Sequence, residues 1–394
     1  MYLAYLAVHN HGGINSVEFS KADLASHVRG YPALLDITRG GPVGALVFAQ
    51  NAVAGDIWLP GKQRHILHHA TVVSLQPRRL YPRPSAMAQH INPMYDRQVR
   101  LFGETGQKLL GALKVGVIGA GGGGSLLLQM LARLGVGHIV AVDPDLMEMT
   151  NFPRIVGSRR SDMVWSWMSS SNRLIRCIGQ FLARSKVHVA QWVAHEANPA
   201  LQFDAIRGSV VDIGVARKLT DVDFLFLATD TMQSRLVFNA LVHQYLIPGI
   251  QIGAKVQTDS ETGRIDDVFA ISRLVLPTAG CLLCNGAISS SKLQLEALGE
   301  GERQSQRYIS GEDIPAPSVI TLNSLGASQA MNDFLFIVTG LLRDTARSEH
   351  ILIHPRDRTT EKISLRRDPA CSMCSLSLGS IYARGDRGHL PCRQ

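Results

Sequence analysis

The sequence predicts an α/β fold built on a doubly wound, Rossmann-like sheet, and three stretches carry that prediction. Residues 115–118 are a short apolar run ending in glycines. Residues 125–134 then place apolar side chains at helical spacing, ahead of a second apolar run that ends at Asp143. Residues 224–229 are almost wholly apolar, the composition of a parallel strand buried on both faces. The first two stretches read as strand, glycine turn, helix and strand, a nucleotide-binding βαβ unit. Gly119, Gly121 and Gly124 satisfy G-x-G-x-x-G, with Gly122 inside the same turn. Without Cβ atoms these residues let the backbone turn tightly and approach a phosphate, whose charge faces the N–H groups of the following helix. Asp143, about 20 residues on, can accept hydrogen bonds from ribose hydroxyls. By itself this fingerprint serves NAD, FAD and ATP alike.

Composition sets the limits. A chain of 394 residues with 45% hydrophobic content can bury a large core, enough for one big domain and a smaller one. The net charge of +8 is mild for this length, and no long basic run interleaves with aromatics. That argues against nucleic-acid binding and suits a nucleotide and an acidic partner surface. Residues 1–8 are apolar, but too short and without the basic segment of a signal peptide. Residues 318–342 hold Asn323, Gln329, Asn332 and Asp333, which predicts a buried core helix rather than a membrane span. The expectation is a cytoplasmic protein with no membrane contact, whose six cysteines bind metal or react rather than pair as disulfides.

Taken in order, the chain opens with a module over residues 1–76. His9 and His11 stand at a strand end, and Ser20 and Asp23 follow at the start of a helical stretch. Two imidazoles and a carboxylate with an open position would suit a catalytic zinc. The pattern resembles the H-x-H…S-x-x-D motif of JAMM-type metalloproteases, which remove ubiquitin-like tags. The resemblance implies a general-base glutamate well upstream, yet eight residues precede His9, and Glu18 lies on the other side of the motif. The module is therefore expected to be a partial JAMM-like fragment, truncated or kept for docking. A zinc site of His9, His11 and Asp23 is the alternative. Residues 77–94, with Pro77, Pro82, Pro84 and Pro93, read as a linker to a main domain over residues 95–394.

The flanks of the glycine turn narrow the choice of nucleotide. Upstream stand Tyr95-Asp96-Arg97-Gln98, Leu101-Phe102-Gly103 and Gly106-Gln107. Downstream stand Asp143-Pro144-Asp145, Glu148 and Thr150-Asn151-Phe152-Pro153-Arg154. From about residue 90 to its end the chain resembles the adenylyltransferases that activate ubiquitin-like and sulfur-carrier proteins: ubiquitin-activating enzymes and the ThiF- and MoeB-type enzymes. The resemblance implies that Arg97 reaches the phosphates of a neighbouring protomer's nucleotide, which makes the active unit a homodimer. Asn151 and Arg154 follow the second strand, at the sheet edge where open α/β folds bind ligands. The family's next basic residue is delayed here by an insertion over residues 161–182, which contains Trp165, Trp167 and Cys177 and is read as a mobile lid or partner-docking loop. The phosphate-binding lysine is placed at Lys186, with Arg184 as the alternative. Asp230 emerges from the apolar strand ahead of Thr231, Ser234 and Arg235. It can hold a magnesium ion bridging ATP phosphates, or else cap the following helix.

Cys281-x-x-Cys284 and Cys371-x-x-Cys374 are two knuckles of the kind that hold tetrahedral structural zinc, clipping the C-terminal tail onto the domain. The resemblance implies the same distant pairing. Many family members also pass the acyl group to a cysteine in a crossover loop, but residues 308–317 contain none. Cys177 or Cys392 could take that part, or the adenylate could pass directly to an outside thiol.

The reading is ATP-dependent adenylation of the C-terminal carboxylate of a ubiquitin-like protein, with ATP, Mg²⁺ and Zn²⁺ as cofactors. A conjugating enzyme would be the next partner, as in bacterial ubiquitin-like antiviral operons. The pathway alternative is sulfur-carrier activation for cofactor biosynthesis. Two rivals are a Rossmann oxidoreductase, which a bound-nucleotide spectrum would reveal, and a non-catalytic scaffold docking a ubiquitin-like protein, which would lack ATP turnover.

Overall fold

The computed structural model describes residues 4–73, 78–83, 91–259, 264–297, 317–342 and 349–393. It divides the chain into two compact units, Met1–His90 and Ile91–Gln394.

In the first unit β1 (Tyr5–Asn10) runs parallel to β2 (Val43–Phe48), with helix α1 (Lys21–Ile37) between them in sequence. Strands β3 (Val53–Leu59) and β4 (Gln63–Leu67) continue the sheet antiparallel. Ser20 starts α1 with a reciprocal capping box: its hydroxyl accepts the Asp23 N–H, and Asp23 accepts the Ser20 N–H. Tyr31 and Leu35 of α1 then pack on Val43, Ala45 and Trp58 of the sheet. Residues assigned above to the start of a linker form β6 (Arg78–Leu80), paired antiparallel with β5 (Ala70–Val72). Residues 84–90 of that expected linker, and most of the crossover loop at 308–317, lie outside the described residues.

The second unit opens with α2 (Asp96–Ala112), broken at Gly103, where φ is 74°. Its eight-stranded sheet has the order β14-β13-β12-β11-β10-β7-β8-β9. Strands β7 (Lys114–Ile118), β8 (His138–Val142), β9 (Gln202–Ile206), β10 (Phe224–Leu227) and β11 (Gly249–Thr258) form the parallel part. Strands β12 (Ile265–Val275), β13 (Glu349–His354) and β14 (Thr359–Ser364) add antiparallel. The chain runs outward from β7 through β8 to β9 on one side, then returns to place β10 on the other side of β7. That reversal is a topological switch point, where open α/β sheets bind their ligands beyond the strand carboxyl ends.

Strand β10 is buried along its whole length. Phe224 and Phe226 pack their rings on Phe334 of α10 (Ile320–Thr339), with centroids 4.9 and 5.5 Å apart. Leu225 and Leu227 point to the other layer, with Val237, Phe238 and Leu241 of α8 (Met232–Gln244). Alternation along one strand thus feeds both layers of core, which is why the run carries no polar position. The helix expected over residues 318–342 is present as α10 and buries one face through Ala327, Ala330, Phe334 and Leu335, while Thr321, Ser328 and Asn332 are exposed. Its Asp333 accepts hydrogen bonds from Gln329 and from Ser272 of β12, and no helix among the described residues is long and apolar enough to cross a membrane.

The expected loop over residues 161–182 is corrected by the structure. It contains α4 (Trp165–Met168) and α5 (Arg173–Phe181), because Asn172 caps α5 at Leu174 N–H and Gly179 seats the helix against Trp167. The remaining helices are α3 (Gly122–Leu134), α6 (Lys186–Ala197), the short α7 (Ile213–Ala216) and α9 (Ser290–Ala297).

Two outcomes are expected from this core. Phe334→Ala removes the ring that meets both Phe224 and Phe226, and should lower unfolding free energy by about 3–5 kcal/mol in denaturant titrations. The second concerns pH. Burial pushes the imidazoles of His243 and His350 down to about 4, helped by Arg367 and Arg273 respectively. An unfolded histidine titrates near 6.5, so as pH falls the unfolded chain takes up protons first. The stability these two neutral side chains allow is complete above about pH 6.5 and is lost toward about pH 4. Unfolding curves across that interval should show the loss, and His350→Gln should make it shallower.

Candidate active site

The loops that leave the carboxyl ends of β7, β8 and β10 converge at the switch point. After β7 the chain turns at Gly119, with φ of 97°; a Cβ there would lie 2.7 Å from Thr229 Cγ2 and 2.8 Å from the Ala228 carbonyl oxygen. Gly124 allows α3 to pack back on the Gly119 carbonyl, which any side chain would obstruct. Gly121 is the N-cap of α3 and offers no side-chain cap, while a Cβ on Gly121 would meet nothing within 4 Å. The first N–H groups of α3 thus have no side-chain cap from the N-cap residue.

Asp143 follows β8 and is buried, only 5% exposed. Its Oδ2 accepts the Ala120 N–H at 2.7 Å and its Oδ1 accepts the Asp145 N–H at 2.9 Å. Burial raises its pKa, opposed by the Ala120 hydrogen bond and the Lys186 charge. Lys186 opens α6, and its Nζ lies 2.6 Å from Asp145 Oδ2 while its N–H donates to the Asp145 carbonyl. The ammonium is thereby fixed beside two carboxylates at the end of β8. Arg184, the alternative to Lys186, instead pairs with buried Asp162 at 3.2 Å and donates its own N–H to the Asp162 carbonyl.

Asn151 is buried and closes the loop after β8: its side-chain oxygen accepts the Glu148 N–H at 3.2 Å, and its carbonyl accepts the Arg154 N–H at 3.0 Å. Arg154 projects from this loop, its Cδ 3.3 Å from where a Cβ on Gly122 would sit. Arg97 is in the first turn of α2 and exposed; its guanidinium makes no hydrogen bond or ion pair with a described residue.

Asp230 is exposed in the loop between β10 and α8, and it does not cap that helix. Thr231 is the N-cap, accepting the Ser234 N–H at 3.2 Å. The next two orphan donors, Met232 N–H and Gln233 N–H, are taken by the Glu296 carboxylate of α9 at 2.8 and 2.9 Å. The capping alternative for Asp230 is thus overturned; its charge acts instead on the largely buried Arg235 guanidinium. Glu296 carries no local signal in the sequence, because its partners lie more than sixty residues away.

The four knuckle cysteines come together. Sγ separations are 3.6 Å for Cys281 and Cys284, 3.7 Å for Cys281 and Cys371, and 3.6 Å for Cys284 and Cys374. A tetrahedral zinc with bonds of about 2.3 Å sets its sulfurs about 3.8 Å apart, so this cluster could hold the ion. Arg367 supports it, donating to the Cys374 and Thr278 carbonyls. Of the remaining thiols, Cys177 is exposed on α5. Cys392 is half-buried against the Val210 carbonyl, and burial with the nearby Asp212 charge pushes it up to about 11, which makes it a poor nucleophile at neutral pH.

A second cluster lies in the first unit. His9 Nε2 and His11 Nε2 are 3.1 Å apart, and Asp23 stands 3.6 Å from His9 and 3.1 Å from His11. His11 Nδ1 lies 3.0 Å from the Glu18 carbonyl, which orients the ring. Hydrogen bonds from Ser20 hold the Asp23 carboxyl below its usual range, against a desolvation cost. Glu18 itself pairs with Arg83 at 2.7 Å.

Comparison with known proteins agrees with this architecture. The SAMP-activating enzyme E1 of Haloferax volcanii is 46% identical over 147 residues, covering 37% of this chain and 47% of that protein. The adenylyltransferase and sulfurtransferase MOCS3-1 of Zea mays is 26% identical over 168 residues, covering 41% of this chain and 32% of that protein. The chain thus spans less than half the length of these curated relatives. Among solved structures, E. coli MccB with MccA-N7isoASN shares the fold, with a TM-score of 0.54, 19% identity and coverage of 72% of this chain and 76% of that one. The ThiF family model matches residues 95–292, just over half of the sequence and the part that contains the glycine turn, Asp143, Lys186 and Asp230, and the chain therefore belongs to the ThiF family.

Proposed function

We propose that the protein adenylates the C-terminal carboxylate of a ubiquitin-like or sulfur-carrier protein at the expense of ATP. The observation that carries this reading is the placement of an uncapped glycine-rich helix start, the Lys186–Asp145 pair, Arg154 and the exposed Asp230 in the loops at one switch point. Each suits one part of a triphosphate. The uncapped N–H groups of α3 take phosphate oxygens, Arg154 and Lys186 offset their charge, and Asp143 stands at the ribose position. In the relatives, MccB has been solved with ATP and with AMPCPP together with MccA, and the Haloferax protein activates SAMP by name.

In the proposed reaction a carboxylate oxygen forms a bond to the α-phosphorus, the bond from that phosphorus to the bridging oxygen breaks, and pyrophosphate departs. No general base is needed, because a carboxylate is already a competent nucleophile. A magnesium ion held by Asp230 would supply neutralisation of the departing phosphates. Arg154 and Lys186 orient and neutralise, so their value lies in fixed positions set before reaction. Arg97 is assigned to the nucleotide of a second copy in a homodimer. A conjugating enzyme is the proposed acceptor; burial masks Cys392, and the exposed Cys177 of α5 is the alternative thiol.

The first unit is proposed as a JAMM-like module with a metal-binding remnant. One ligand atom from each of His9, His11 and Asp23 lies within 4.8 Å of the others, close enough to share one zinc ion. The Cys281, Cys284, Cys371 and Cys374 set is proposed as structural zinc, clipping the tail to the domain.

Two measurements check this reading. ATP–pyrophosphate exchange should depend on an added ubiquitin-like or sulfur-carrier protein, and Lys186→Ala or Asp230→Ala should each reduce it about 100-fold or more; exchange that survives both changes would sink the proposal. Metal analysis should find a zinc ion released by a thiol-blocking mercurial with loss of stability, and a weaker equivalent that disappears in His11→Ala.

A further inference from the structure

The heavy atom nearest to the place where a Cβ on Gly122 would sit belongs neither to the glycine turn nor to Arg154: it is Nδ2 of Asn323, from the first turn of α10. Any side chain at position 122 would displace this carboxamide. Asn323 and the Arg154 stem therefore both lie close against the first residue of α3. Its Nδ2 donates to Ser318 Oγ at 3.1 Å, and its Oδ1 has no hydrogen-bond partner among the described residues. A carboxamide has two donor hydrogens and two acceptor lone pairs, so most of this capacity is unused beside the glycine turn.

The chemistry of the unused atoms selects the ligand. Phosphate oxygens only accept, and Arg154, Lys186 and the uncapped N–H groups of α3 already serve them. The spare Nδ2 hydrogen suits a phosphate oxygen as well as a peptide carbonyl, but Oδ1 only accepts, and of these two ligands the peptide alone offers it an N–H. We propose that Asn323 is a specificity-determining residue that reads the last peptide group of the incoming tail and holds its carboxylate over the glycine turn. The inference rests on the adenylation reading, and it narrows the substrate to a polypeptide whose final residue retains a peptide N–H. A tail ending in proline would be refused. Nothing local in the sequence marks Asn323 apart from the other polar residues of its helix, because its role arises only where α10 packs on α3.

The experiment uses the full chain and two probes, ATP and glycylglycyl-sulfamoyladenosine, a stable mimic of the acyl adenylate, with affinities measured by calorimetry. Asn323→Ala and Asn323→Leu, the second keeping bulk against Gly122, should weaken the mimic by about 10-fold while ATP stays within about twofold. Equal weakening of both probes in Asn323→Leu, or an unchanged affinity for the mimic in either variant, overturns the assignment. A wild-type chain that binds neither probe overturns the adenylation reading and this inference with it. A chain that binds ATP normally but fails the mimic comparison overturns the inference alone.

Discussion

The site depends on one buried carboxylate. Asp143 accepts a backbone N–H from the turn after β7 and another from the loop after β8, so a single side chain staples together the two loops on either side of the crevice. Burial alone would drive such a group toward its neutral form. The two N–H donors and the Lys186 ammonium work against that cost, and the geometry of the glycine turn, the Asp145 loop and the start of α6 follows from their mutual satisfaction. The position fixes backbone on both sides of the crevice at once.

A similar division of labour frees Asp230. Helix α8 begins directly after the crevice and needs acceptors for its first N–H groups. Thr231 supplies one and Glu296 of α9 supplies two, at the cost of tethering α9 to the start of α8. Because distant residues cap the helix, the aspartate next to the crevice does not have to. Arg235, one turn into α8, stays partly buried with a hydrogen bond to the Ala287 carbonyl, which ties the same helix to the segment after the first cysteine knuckle. The cysteine cluster continues this bracing: Asn285 bonds Arg366 in both directions beside it, joining chain segments eighty residues apart.

The segment over residues 161–182 differs most from its sequence reading. Its Leu174, Ile178 and Phe181 fall on one helical face, a helical spacing that the reading as a loop passed over. Its ends are held where chemistry is expected: Gln180 donates to the Met147 carbonyl, and the Arg184 carbonyl accepts the Met147 N–H immediately before Lys186.

The sequence by itself determined the βαβ unit, the buried β10, the polar core helix α10 and the two cysteine knuckles. Each of these is written in local periodicity or in a spacing that backbone geometry makes specific, such as G-x-G-x-x-G and C-x-x-C. It also named Asp143 and Asp230, because residues at strand ends are addressed by the strands themselves, whereas Lys186 came from the family resemblance. Only the tertiary structure decided what those residues are free to do. That Thr231 and Glu296 cap α8, that Asp145 holds Lys186, that Arg184 is spent on Asp162 and that Asn323 lies close against Gly122 are all contacts between segments remote in the chain. Hydrogen bonds and ion pairs of this kind are fixed by how helices pack on the sheet, and no periodicity within a single segment encodes them.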